Sequence, residues 1–103
     1  GGMEFELKSE HRDQQLWIRV RFTFADYQKF RELIGKLLDS ESKRYTIDLR
    51  ELEFIDSAGL GMLLLARDEA QRKQRGIALR RPSGQVRRVI DVARFDTLFE
   101  ILE

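Results

Sequence analysis

Residues 54–66 read FIDSAGLGMLLLA and set an acid and a hydroxyl, Asp56 and Ser57, between two apolar runs. A serine acts as a nucleophile when a general base stands within hydrogen-bond reach. This chain has one histidine, His11, and no cysteine, and neither a carboxylate pair nor a Ser-His-Asp set is recognisable. The expectation is a domain that is not an enzyme and carries no cofactor and no metal site. Two roles remain for the pair. Asp56 or Ser57 can cap a helix by accepting hydrogen bonds from the unpaired amides of its first turn. Ser57 can also be a phosphoacceptor: a phosphoserine adds about −1.5 to −2 charges at neutral pH, which a helix N-terminus favours and Asp56 opposes in part. Phosphate there should leave the domain folded and repel or block a partner docking around it.

The next residues are as unusual as the pair. Gly59 and Gly61 fall in the first turns of the expected helix, where each costs up to about 1 kcal/mol relative to alanine. With Ala58 they leave a helix start almost bare of side chains. Such a start lets another backbone approach and leaves the serine hydroxyl accessible. It serves tight packing against a neighbouring strand equally well, and the sequence alone leaves both readings open.

The elements that position this junction follow from periodicity. Residues 5–8 alternate and predict a short strand, and EHRDQ is a polar turn. In QLWIRVRF, Leu16, Ile18, Val20 and Phe22 share one face of a second strand, with Trp17, Arg19 and Arg21 on the other. Tyr27, Phe30, Ile34, Leu37 and Leu38 then lie at helical spacing, predicting a helix from about Phe24 to Ser40, with Thr23 and Asp26 in a capping-box-like pattern. YTIDL, residues 45–49, predicts an interior strand. A helix from Ser57 to about Arg75 follows, and Gly76 suits its left-handed end. IALRR is a strand stopped by Pro82, Ser83 caps a helix bearing Val86, Val89, Ile90 and Ala93, and LFEIL is the last strand. The order β-β-α-β-α-β-α-β implies right-handed crossovers and one opening hairpin. The expected fold class is α/β: a mixed β-sheet of four to five strands with amphipathic helices packed mainly on one face.

At 103 residues, one domain spanning residues 3–103 is expected, with Gly1 and Gly2 ahead of Met3 read as a cloning scar. Hydrophobic residues make up 42% and charged residues 36%, too apolar for disorder and too charged for lipid burial. No apolar run approaches the roughly 20 residues of a membrane-spanning helix, and the N-terminus lacks the pattern of a signal peptide. Cytoplasmic location is the expectation, which the lack of cysteine fits. Nineteen Lys and Arg balance eighteen Asp and Glu, a net charge of +1, and argue against a nucleic-acid binder that works through phosphate contacts.

In this strand–turn–helix setting, IDLRELEFIDSAGLGMLL resembles the signature of STAS domains, in particular of bacterial anti-sigma factor antagonists (anti-anti-sigma factors). GIALRRPSGQVRRVIDVARFDTLFEIL resembles the C-terminal half of the same family, and the element order matches its fold. The resemblance implies that Ser57, directly after Asp56, is the phosphorylation site. It also implies that Asp56, Ser57, Ala58, Gly59, Leu60 and Gly61 form the partner-binding surface. Ala58 stands where a second serine is often found, and RFTFADYQ replaces a more usual glycine-containing approach to the first helix. The implied mechanism is partner switching. The unphosphorylated protein binds an anti-sigma factor, serine phosphorylation (often by that same factor as kinase) releases it, and a serine phosphatase resets it. No membrane insertion and no direct contact with nucleic acid are implied, and a monomer is expected.

A STAS accessory subunit of a membrane ABC transporter, docking on the ATPase with no phosphorylation cycle, would use the same fold and helix start. A nucleotide-binding module is a weaker alternative, since only a helix N-terminus speaks for it and no Walker-type run exists. His11 reads as a solvated turn residue. Arg80, Arg81, Arg87 and Arg88 read as a solvated basic surface or as an electrostatic footprint for an acidic partner. Trp17, opposite the main apolar set, reads as cover for the sheet or as an interface anchor.

Overall fold

The computed structural model describes residues 4–103, so the reading of Gly1 and Gly2 as a scar lies outside the described residues. Strands β1 (Glu4–Glu10) and β2 (Asp13–Phe22) form an antiparallel hairpin. Its two turn residues, His11 and Arg12, are both left-handed (φ 49° and 63°), the geometry that matches the twist of the flanking strands. A 3₁₀ turn (Phe24–Asp26) leads into α1 (Tyr27–Asp39), followed by β3 (Arg44–Asp48), β4 (Leu52–Ile55) and α2 (Ser57–Arg72). The chain continues through β5 (Ile77–Arg80), α3 (Gly84–Val92), a 3₁₀ turn (Phe95–Thr97) and β6 (Glu100–Leu102). The sheet runs β1-β2-β3-β5-β6, with β4 paired to β2 off that path. Every pairing other than the hairpin is parallel.

The α/β class and helices packed mainly on one face are as expected, but among the described residues the sheet has six strands, not four or five, and the order is β-β-α-β-β-α-β-α-β. The extra strand is β4. A turn at Arg50–Glu51, closed by Leu52 N–H donating to Leu49 C=O at 3.1 Å, separates it from β3. Both strands then pair with β2: residues 13–17 of β2 face β3 and residues 20–22 face β4. The change of partner falls at a register shift: Val20 and Arg21 pair with Leu52 and Phe54, leaving Glu53 of β4 as the extra residue, and Val20 itself has a φ of 71°, a left-handed conformation that a β-branched residue rarely adopts. That left-handed backbone interrupts the alternation locally, so Val20 is exposed instead of facing inward with Leu16, Ile18 and Phe22. Two helix ends also differ from expectation. Residues 24–26 form the 3₁₀ turn instead of the start of α1, and α2 stops at Arg72, where Gln74 (φ 59°), not Gly76, takes the left-handed position.

On the inner face, Leu16, Ile47 and Leu79 of neighbouring strands are fully buried beneath Leu37 and Leu38 of α1 and Leu63 of α2. Among the described residues the opposite face carries no helix, yet Gln15, Thr46 and Asp48 are buried there. Their polar atoms are engaged by Asp13, Trp17 and Arg50. Gln15 Nε2 and Thr46 Oγ1 donate to Asp13 at 3.0 and 2.8 Å, and Trp17 Nε1 donates to Gln15 Oε1 at 2.8 Å. The Arg50 guanidinium takes Asp48 by two nitrogens at 2.8–3.2 Å. Trp17 lies among Lys8, Arg50 and Arg19, at 4.2, 4.5 and 5.2 Å from its ring centre. Trp17 therefore covers the sheet and is itself covered. Among the described residues no buried side-chain nitrogen or oxygen lacks a partner.

Candidate functional site

Strand β4 delivers the junction. Leu52 and Ile55 bury their side chains, and Ile55 pairs with Phe22 of β2. Asp56 is still extended (φ −100°, ψ 179°) and is the N-cap of α2, while Ser57 is its first residue. The Asp56 carboxylate does two things. Oδ1 accepts from Gly59 N–H at 2.7 Å, satisfying an otherwise orphaned amide, and Oδ2 accepts from Phe24 N–H at 3.3 Å. Asp56 N–H donates to Phe22 C=O at 3.4 Å. The cap thus belongs to Asp56, and it ties the loop entering α1 to the start of α2. Ser57 is exposed, and among the described residues nothing hydrogen-bonds its hydroxyl.

The two glycines do different work. A methyl group built at Gly59 would lie 2.6 Å from Phe22 C=O and 2.6 Å from Ile55 Cγ1, so the absence of a side chain lets α2 close against β2 and β4. At Gly61 the same methyl meets nothing within 4 Å. Tight packing is therefore the reading for Gly59, and an open approach is the reading for Gly61. Of the six residues expected to form the surface, Ser57 is exposed, Asp56, Ala58, Leu60 and Gly61 are half-buried, and Gly59 is buried. Gly59 shapes the surface from beneath without being part of it.

Two neighbours were not singled out by sequence. Phe24, 78% exposed, stands beside Asp56 through the bond just described. Its signal was present: it lies outside the apolar stripe of α1, in the capping turn that Asp26 closes by accepting from Thr23 N–H at 2.8 Å. Beyond it, a groove of about 210 Å³ between α1 and α2 is lined by Tyr27, Phe30, Ile34, Met62 and Leu65. On its rim Glu69 is held below the usual carboxylate range by a hydrogen bond from Arg72. The second neighbour is Gln85 of α3, whose Oε1 accepts from Ile55 N–H at 3.0 Å while its Nε2 donates to Ile55 C=O at 2.9 Å. A lone glutamine after a cap carries no sequence signal for such a role.

The four arginines do not form one footprint. Arg80 binds Asp13 on the helix-free face at 3.3 Å. Arg87 pairs with Glu103 at 2.9 Å and Asp91 at 3.4 Å, and its hydrogen bond holds the Glu103 carboxyl below its ordinary range. Arg81 and Arg88 are exposed. His11, at the hairpin tip, is exposed as expected.

With this geometry in hand, the comparisons with known proteins are direct. A family model described as "Mlab, STAS domain" matches residues 5–103, so the chain belongs to the STAS-domain family. A STAS-domain containing protein of Pseudomonas aeruginosa (strain UCBPP-PA14) is 38% identical over 90 residues, covering 85% of this chain and 88% of the relative. An anti-sigma factor antagonist from Mycobacterium paratuberculosis superposes with a TM-score of 0.84 at 19% identity, covering 97% of this chain and 85% of that one. A sulfate transporter family protein from Wolinella succinogenes superposes with a TM-score of 0.75 at 12% identity, covering 92% and 80%. These two likenesses establish the fold. Among the described residues no helix is long and apolar enough to cross a membrane.

Proposed function

We propose that this chain is an anti-sigma factor antagonist: a cytoplasmic binding module, not an enzyme, whose hold on an anti-sigma factor is released when Ser57 is phosphorylated. The observation that carries the reading is the division of labour at the helix start. Asp56 does all the capping, so the neighbouring hydroxyl is left exposed and unengaged. A phosphoryl group on it can face the amides of the first turn without displacing the cap. The added charge would then stand on the open surface around Gly61 and Phe24 and oppose docking. In this reading Ser57 is a substrate of the partner kinase and of a resetting phosphatase.

The test has two arms. Phosphate is mapped by mass spectrometry on the protein isolated from cells, and capture is compared for the unaltered chain, Ser57→Ala and Ser57→Asp. The expected outcome is phosphate on Ser57, with an anti-sigma factor recovered by the first two proteins and lost with Ser57→Asp. Phosphate absent from Ser57, together with capture indifferent to both substitutions, overturns the reading. The sulfate transporter likeness favours one second reading, an accessory STAS subunit of a membrane transporter. It predicts that all three proteins recover an ATP-binding cassette protein alike.

A further inference from the structure

Among the described residues the edge of β4 away from β2 has no strand beside it. Asp56 N–H is directed at Phe22 of β2, so the N–H and C=O of the preceding residue, Ile55, are directed at that free edge. Packed under α3, these two groups need partners within the protein. Gln85, the second residue of α3, supplies both at 3.0 and 2.9 Å. A carboxamide presents a donor and an acceptor as a peptide unit does, so one side chain does the work of a missing strand. Ile55 is then fixed from three directions: by pairing with Phe22, by its own buried side chain under Gly59, and by Gln85 at the edge. The next two residues are Asp56 and Ser57.

We infer that Gln85 is the positioning residue of the Asp56–Ser57 turn: acting as a surrogate strand, it fixes where β4 ends and so the aim of the Ser57 hydroxyl, and it makes α3 the element that anchors the turn. Its value for switching rests on the proposed role of Ser57, but the positioning itself does not. Gln85→Met keeps the length and removes both bonds. Gln85→Glu keeps an acceptor for Ile55 N–H and sets a second oxygen against Ile55 C=O.

The chain contains no cysteine, so Ser57→Cys introduces a single thiol where the hydroxyl stands. Its alkylation by iodoacetamide across a pH series reports both the thiol pKa and its reactivity in the folded protein. A turn held in place keeps the thiol near the free amides of α2 and lowers its pKa. In full-length Ser57→Cys/Gln85→Met, the thiol pKa is expected to move back toward its ordinary value, with alkylation at neutral pH slowed about two- to fivefold. Amide exchange at Ile55 is expected to quicken roughly tenfold. A merely structural role would lower the thermal midpoint and leave the thiol pKa of the folded protein where it was. Unchanged thiol pKa and alkylation rate overturn the inference, as does unchanged exchange at Ile55. If Gln85→Met does not fold, Gln85→Glu decides by the same readouts. Alkylation needs no kinase, so a chain never phosphorylated on Ser57 would sink the switching role and leave this assignment standing.

Discussion

Two aspartates, Asp48 and Asp56, sit at the carboxyl ends of successive strands and accept from backbone amides two or three residues on. Their surroundings differ. Asp48 is fully buried on the helix-free face, gripped by Arg50 and covered in a layer whose polar groups satisfy one another. Asp56 is half-buried and bonded to backbone amides alone, beside a hydroxyl, a glycine and a phenylalanine that the fold leaves open. A dense set of charges around a tryptophan draws the eye as a binding surface, yet among the described residues every buried polar atom there already has a partner within the protein. In the sparse region the Asp56 carboxylate is engaged in holding the backbone, and among the described residues nothing hydrogen-bonds the Ser57 hydroxyl beside it.

Four measurements test the difference between the two regions. The largest effect is expected from Arg50→Ala, which strands the Asp48 carboxylate in a buried setting. Such losses cost about 3–5 kcal/mol, read as a fall in the denaturant midpoint, and a near-neutral result would show that the outer layer is not self-supporting. Next is Gly59→Ala, where the methyl meets the Phe22 carbonyl and Ile55. A cost of about 1–3 kcal/mol is expected, while Gly61→Ala should stabilise by up to about 1 kcal/mol. Equal effects from the two alanines would erase the distinction between packed and open glycine. Third is Asp56→Ala, expected to cost about 1 kcal/mol of helix-cap stability and to quicken amide exchange at Gly59.

The smallest effect concerns pH. The Glu69 and Glu103 carboxyls, lowered by Arg72 and Arg87, contribute stability above their unfolded range, and that contribution is lost as pH falls through the depressed folded values. Glu103 is exposed and Glu69 lies partly exposed on the groove rim, both with solvent-screened partners, so an acid titration should show only a shallow decline from this source, and Glu103→Gln should flatten it slightly.

Much of this was legible in the residues. Helices α1 and α3 declared themselves by apolar stripes, Phe30, Ile34 and Leu37 in α1 and Val86 and Ile90 in α3, while α2 showed only apolar residues crowded into its first half. The Asp-Ser junction was legible because an acid and a hydroxyl before two glycines are conspicuous between apolar runs. Strand β4 was not. Its four residues follow β3 after a short turn, and alternation cannot tell one strand with a charged interruption from two strands sharing a partner. Val20 was misplaced for the same reason, since a register shift is a property of the pairing and not of the strand's own pattern. Gln85 was invisible because its role depends on an edge that exists only once β4 does.

Strand β2 bears most of the pairing in this sheet, with a consequence for assembly. Because β2 alone bonds to β1, β3 and β4, a slip of one residue along it would turn Leu16, Ile18 and Phe22 outward together and misalign three neighbours at once. Alternative alignments of this sheet are therefore not near misses but wholesale failures, and the chain gains a single well-separated native arrangement from one crowded strand.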